Sequence, residues 1–380
     1  MAAITLAGSI KKHFRKLKDP RVVGRSRHLL IDIIVIALCG VIANCDDWED
    51  IELFAKNRLA WFKRFLKLPN GIPSHDTLGR VFALLEPRAF ATCCVQWLRA
   101  AADLVGAGHI AIDGKSLCGS ASSTTRALHV VSAWASAANV SLGEVAVAGK
   151  SNEITAIPLL LELLDLKGAL VTIDAIGCQK AIAAKIVARG GDYLLSVKGN
   201  QGHLLEDIQK TVGKALDGQL AKNMVASYTT TEKGHGRTEQ RTYTIVRNLK
   251  DIRNRQAWPG LTTVGMRTRE CTVKGETTLE AHYFIGSRRM GARKYGAALR
   301  QHWRIENNLH WQLDISFGED DSRIQDRNAA ENFALMRKLA LGLLKQNPAK
   351  LSIARKRKAA ALNPDFLAET LTGAANVGDI

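Results

Sequence analysis

Through residues 1–105 the apolar positions recur at helical spacing. Residues 29–41 are apolar but for Asp32, as in a buried helix, and Trp48, Ile51, Phe54 and Ala55 keep the helical spacing along the next one. Pro69-Asn70-Gly71 breaks the run, Ser74 is placed to cap a helix starting at His75, and residues 88–102 after Pro87 predict another. After Gly108 the texture changes. Residues 109–113, 128–135 and 140–148 read as strands, 153–166 as a helix, 169–173 as a buried strand, 179–188 as a helix and 193–197 as a strand. The order βββαβαβ ends in the alternation expected of parallel strands with helical crossovers.

Residues 205–292 are mixed and polar, with strand-like pieces at 242–247, 261–267 and 278–285, and predict a β-rich insertion. Residues 293–346 return to helix, at 295–314 and 331–345. The tail, 347–380, is basic, then small and polar, and is expected to fray. The fold class is therefore α/β. A mixed sheet with helices (residues 106–204, completed by 293–346) is preceded by an all-α N-terminal domain (1–105) and interrupted by the insertion.

Charge points to a partner. The chain carries 53 Lys+Arg against 36 Asp+Glu, a formal net charge of +17, which favours nucleic acid or another anionic surface. Residues 11–28 alone hold eight Lys/Arg and one acid, Asp19, a pattern also met on any solvated face. The longest apolar run, from Ile33 to Ala43, falls short of the roughly 18–20 residues a membrane helix needs. The basic stretch before it is too long for a signal peptide, and Asp32 interrupts the apolar segment. The 7 cysteines include no C-x-x-C pair, which argues against a disulfide framework or a cysteine zinc site and for a reducing cytoplasm.

Two aspartates, Asp113 and Asp174, each stop an apolar strand. The right-handed crossover rule sets the first and fourth strands side by side and parallel, with both carboxylates at the carboxyl edge of the sheet, where open α/β sheets bind ligands. Neighbouring carboxylates repel unless a cation shares them, and hard oxygen ligands suit Mg²⁺. Asp-Gly and Asp-Ala are also ordinary turn pairs, so neither residue alone decides the matter. Further along, His302, Glu306, His310 and Asp314 are spaced four apart, one polar stripe on a helix that packs through Trp303, Ile305, Leu309 and Leu313. A zinc site using His302 and His310 is disfavoured, because zinc helices place two histidines four apart with a glutamate beside the first.

These residues carry a resemblance. The chain resembles the bacterial insertion-sequence transposases of the DDE class, of the H-repeat-associated type. The matching stretches are Ile112-Asp113-Gly114-Lys115-Ser116, Lys150 to Pro158, Thr172 to Gln179, Val197-Lys198-Gly199-Asn200-Gln201, Gly234-His235-Gly236-Arg237 and His302 to Trp311. The resemblance implies a ribonuclease-H-like fold, two Mg²⁺ ions (Mn²⁺ substituting), and cleavage of element ends followed by joining of the 3′-hydroxyl to target DNA. Asp113 and Asp174 match the family's first two metal-binding aspartates, and Glu306 its third acid. Glu153, Glu319 and Asp320 also lie in family-like stretches and compete for that third place. The wider superfamily's Tyr-Arg-Glu-Lys signature is not kept: Leu299, His302 and Leu313 stand at the Tyr, Arg and Lys positions.

Given DNA as substrate, Lys115, Lys198, Asn200 and Gln201, just after strand ends, are expected to hold phosphates, with His235, Arg237 and His302 as further DNA contacts. The N-terminal helices are the natural place for end recognition, although no helix-turn-helix stands out. Double-stranded DNA, both element ends and target, is the expected partner, with a homodimer or larger assembly on DNA, no membrane partner, and a cytoplasmic, nucleoid-associated location. Two readings from other classes share these residues: a transposase-derived DNA-binding regulator that does not cut, and a metal-dependent nuclease that cuts without joining.

Overall fold

The computed structural model describes residues 10, 12–22, 24, 26–101, 108–117, 127–136, 139–147, 153–234 and 236–372. In chain order the helices and strands are α1 (Leu30–Ile42), α2 (Trp48–Asn57), α3 (His75–Leu84), α4 (Pro87–Ala101), β1 (His109–Leu117), β2 (Leu128–Ala135) and β3 (Val140–Val147). They continue with α5 (Glu153–Leu163), β4 (Leu170–Ile173), α6 (Lys180–Ala188), β5 (Asp192–Val197), α7 (Gly202–Leu216), and β6 to β9 (Val225–Gly234, Arg237–Val246, Thr263–Val273, Glu276–Gly286). Then come α8 (Ala292–Ile305), a π-helical turn (Glu306–His310), α9 (Trp311–Phe317), α10 (Arg327–Gln346), α11 (Ile353–Leu362) and α12 (Pro364–Thr372). No described helix is long and apolar enough to cross a membrane.

The chain forms two compact units that interleave in sequence. One comprises Met1–Val105, Gly114–Asn152 and Glu306–Ile380, the other Gly106–Asp113 and Glu153–Ile305. Residues 106–204 are thus shared between them.

In the first unit α10 is the central element, buried from Phe333 to Leu344 nearly all the way round. It starts where Asp326 accepts a hydrogen bond from the Ala329 N–H, and Asn332 ties it to α3 by donating to the carbonyls of Phe82 and Leu85. Trp48 packs against Phe82 and Phe333, with ring centroids 4.9 and 4.7 Å away. α1 is buried as its apolar pattern predicts, and its one acid, Asp32, accepts from the Leu68 N–H. Ser74 caps α3 at the Thr77 N–H, as expected.

One buried acid of this unit leaves a pH signature. Burial pushes the Glu331 carboxyl up to about 7. The folded chain therefore keeps a proton that the unfolded chain releases near the ordinary value of 4.5, so stability falls as pH rises from about 4.5 to about 7. Glu331→Gln should flatten the dependence of Tm on pH across that window. A wild-type Tm that rises there, or one unchanged in slope by the substitution, would contradict this.

The second unit is built on a mixed sheet in the order β1-β4-β5-β9-β8-β7-β6. β1, β4 and β5 are parallel, with α6 crossing from β4 to β5, and β9, β8, β7 and β6 continue as an antiparallel meander. The insertion expected at 205–292 is thus joined to the parallel strands through the β5–β9 pairing, and it contains a helix, α7, and a first strand, β6, that the apolar pattern did not predict. α8 lies on this sheet through Ala292, Tyr295 and Ala298, which pack with Leu170, Leu194, Ile245 and Phe284. Gly296 permits that approach: a Cβ there would come within 2.8 Å of the Tyr243 ring. The far end of α8 carries His302.

The tail departs from expectation. Ser352 caps α11, α12 follows, and Lys356 and Arg357 are buried. Lys356 donates to the carbonyls of Leu344 and Asn347, so the basic residues here close off helix ends rather than face solvent.

Candidate active site

The site is built from the sheet edge of the second unit. β1 and β4 pair from His109 opposite Leu170 to Ile112 opposite Ile173, so Asp113 and Asp174 are the next residues on adjacent parallel strands. Neighbouring strands lie about 4.8 Å apart, which brings the two carboxylates to one edge. The strands themselves are buried, and a carboxylate costs too much to bury unpaired, so each acid stands where the apolar run stops. Asp174 then opens the 3₁₀ turn Ala175–Gly177. Gly177 is required by packing, since a Cβ would meet Ile173 at 2.4 Å.

Asp174 is held by a histidine. Nε2 of His302 lies 3.1 Å from its Oδ1, and this hydrogen bond keeps the carboxyl below its ordinary range against the opposing effect of burial, with Lys198 and His282 adding attraction. The other ring nitrogen of His302 is 3.0 Å from Thr172 Oγ1, which is itself 3.1 Å from Nε2 of His109. With both nitrogens so engaged, His302 offers no geometry for the zinc reading.

Asn200 and Gln201, expected at DNA phosphates, brace the turn after Asp174. Asn200 donates from Nδ2 to the Ala175 carbonyl at 2.6 Å, and Gln201 from Nε2 to the Cys178 carbonyl at 2.9 Å. Lys198 is exposed beside them. Arg237 pairs with Glu239 at 3.1 Å, alongside Arg241 and Arg269, and His235 lies outside the described residues.

In the first unit, Glu306 is exposed at the start of the π-helical turn that follows α8 directly in sequence. Lys115 is half-buried and bonded to Asp314 and to Glu319, 2.9 Å from the latter, with Asp320 at 3.7 Å. Glu319 is fully buried, and burial raises its carboxyl above the ordinary range even with Lys115 beside it. This acid is committed to an internal lysine. Glu153 is buried as well, and Asp320 is exposed. His310 is buried and kept neutral, its pKa pushed down to about 4 by burial, then by Lys115 and His129.

The sequence pattern sets both aspartates at strand ends, as the pairing of β1 with β4 has them, but does not single out Thr172 and His109. The signal present was a polar residue inside an otherwise apolar strand, Thr172 in Leu-Val-Thr-Ile.

Comparison with known proteins places these features in a family. Residues 106–343 match the model of the transposase DDE domain, and residues 11–98 match that of the region associated with it. The H repeat-associated putative transposase YhhI of Escherichia coli (strain K12) is 38% identical over 373 residues, 96% of this chain and 98% of that one. The putative transposase YncI of Escherichia coli O157:H7 is 38% identical over 382 residues, 97% and 96% of the two chains. A short relative, the inactive transposase YbfQ of Escherichia coli (strain K12), is 38% identical over 72 residues, 19% of this chain and 86% of that one. Among solved structures, the piggyBac transposase in a synaptic complex with hairpin DNA covers 97% of this chain and 78% of its own at 10% identity, with a TM-score of 0.38, too slight a likeness to bear on function. The family model and the full-length relatives show the family: the chain belongs to the DDE transposases.

Proposed function

We propose that the protein is an active transposase that cuts element ends and joins the freed 3′-hydroxyl to target DNA at a site formed by Asp113, Asp174 and Glu306. The observation that carries this reading is the pairing of Ile112 with Ile173, which sets two carboxylates side by side beyond parallel strands. A donor set of carboxylate oxygens fits Mg²⁺ or Mn²⁺. Two such ions, when bound, would lower the charge barrier at the scissile phosphate and activate the attacking oxygen. The parallel β1-β4-β5 core with its crossover helix supports the ribonuclease-H-like reading.

The chain's own residues have separable tasks. Asp113, Asp174 and Glu306 supply negative charge at fixed points, and Asn200 and Gln201 keep the turn behind Asp174 rigid. Water attacks the phosphorus at the element end and the P–O3′ bond breaks, leaving a 3′-hydroxyl and a 5′-phosphate. The 3′-oxygen then attacks a target phosphorus, displacing the target's own 3′-oxygen, so one site serves both steps.

DNA is held elsewhere too. A groove of about 840 Å³ in the first unit is lined by Arg21, Arg27, His28 and Arg80 with Ser26, Ser74 and Thr77 and by apolar residues such as Val22, Ile72 and Leu84; Arg21 is also paired with Asp19 at 2.7 Å. Such a surface suits phosphates and makes binding salt-dependent, and we assign it to element-end DNA within the N-terminal domain. Two ends must be handled together, so a homodimer or larger assembly on DNA follows from the reading.

The test is an incubation of the full chain with DNA selected by its own binding, in Mg²⁺ and in chelator. We expect nicked and joined products in Mg²⁺ and none in chelator. Binding without products would indicate the regulator, and nicking without joining the nuclease.

A further inference from the structure

We propose that His109, Thr172 and His302 form a polarised hydrogen-bond relay that aims Asp174, making His302 a positioning residue and not a DNA contact. The inference rests on Asp174 being a metal-binding acid, as proposed above. All four residues belong to the second unit, and they come from three elements: β1, β4 with the turn that follows it, and α8. His109, Thr172 and His302 are buried, so their polar atoms must find partners inside the protein.

One bond direction is fixed by chemistry, and the relay we propose takes the others from it. A carboxylate oxygen only accepts, so the proton at the 3.1 Å contact sits on Nε2 of His302. The relay has the Thr172 hydroxyl donate to Nδ1 of His302 across 3.0 Å, in preference to the Ile110 carbonyl at 3.5 Å. Its single proton spent, Thr172 Oγ1 receives the Nε2–H of His109 at 3.1 Å. Burial, and then His302 beside it, push the His109 pKa down to about 4. Each bond fixes the next, and the chain ends on Oδ1, orienting Oδ2 of Asp174 for a cation. Hydrogen-bond partners of metal-ligating groups set ligand orientation in this way, and their loss commonly weakens metal binding 10- to 100-fold.

An arginine at the position of His302, as the superfamily signature has it, would present several donors to phosphate. Here the shorter imidazole is turned inward onto Asp174, and no nitrogen is left over for DNA.

The experiment measures Mn²⁺ binding to the full chain without DNA, by titration of the free-ion electron paramagnetic resonance signal, for wild type, His302→Leu, His302→Gln, Thr172→Val and Thr172→Ser. DNA affinity in chelator and Tm are measured on the same samples. His302→Leu should weaken Mn²⁺ binding by about 10- to 100-fold and Thr172→Val by somewhat less. Thr172→Ser, which restores the hydroxyl, should return to near wild type, and His302→Gln, which keeps a donor, should recover part of the loss. DNA affinity should stay unchanged throughout. Wild-type Mn²⁺ binding in Thr172→Val and His302→Leu would overturn the relay while leaving the metal site standing. Loss of DNA affinity with intact Mn²⁺ binding would return His302 to DNA. No Mn²⁺ binding by wild type would remove the metal reading and this inference with it.

Discussion

Asp174→Asn should abolish DNA cleavage, lowering the rate by about 10³-fold or more, a loss at least as large as removing one preorganised charge stabiliser from an active site. The amide keeps the size of the carboxylate and removes its charge, and at a phosphodiester the charge is what a divalent cation needs. Asp113→Asn should behave the same way, because its strand carries the paired acid in the adjoining register. Folding should change little, since Asp174 is about half exposed, with a side-chain exposure of 48%, and the Asn amide oxygen can still accept from His302. Binding to end DNA in chelator should survive, as it rests on lysines and arginines elsewhere. Gel assays of cleavage and binding on the same preparations check both halves. Normal cutting by either variant would refute the strand-end site.

Arg357→Ala should cost about 3 kcal/mol of stability. The Arg357 side chain is 1% exposed. It donates to the Val41 carbonyl through Nε and Nη2 at 3.2 and 3.0 Å, to the Ser316 carbonyl through Nη1, and to Asp46 at 2.8 Å. Its guanidinium also lies 4.2 Å from the centre of the Phe317 ring. Truncation leaves buried carbonyls without donors and a void on the ring, whereas Asp46 is partly solvated and loses less. Arg357→Lys should recover little, because an ammonium cannot serve carbonyls in several directions as the planar fork does. Urea unfolding gives the comparison, and a change below about 0.5 kcal/mol would mean that α11 is not anchored through this residue.

The sequence was most legible where one short-range rule acted alone. Apolar runs that stop at Asp113 and Asp174, a helix between β4 and β5, and Ser74 ahead of α3 all follow from local pattern, and the crossover rule then brings the two aspartates together. It was least legible where polarity conceals order. β6 is a Thr-rich strand with most side chains exposed, so it shows little apolar alternation, and α7 hides its apolar stripe among lysines and acids. The tail read as a solvated basic end because lysine and arginine look alike whether their heads reach water or, as for Lys356 and Arg357, buried carbonyls. At the site, the roles of Lys115, Asn200, Gln201 and His302 depend on partners distant in sequence. His302 and Thr172 are 130 residues apart, and no spacing rule reaches that far. A basic or amide side chain beside a strand-end acid suggests phosphate; these ones are bonded to carboxylates, to a hydroxyl or to backbone carbonyls.

The central claim is that Asp113, Asp174 and Glu306 share one divalent-ion site. It is tested most directly by loading the DNA-free chain with Fe²⁺, generating hydroxyl radicals with ascorbate and peroxide, and mapping the backbone cuts. The account predicts cuts beside all three acids, suppressed by excess Mg²⁺ and lost together in Asp174→Asn. Cuts clustered elsewhere, or a pattern that includes the aspartates and leaves the chain around Glu306 untouched, would contradict it.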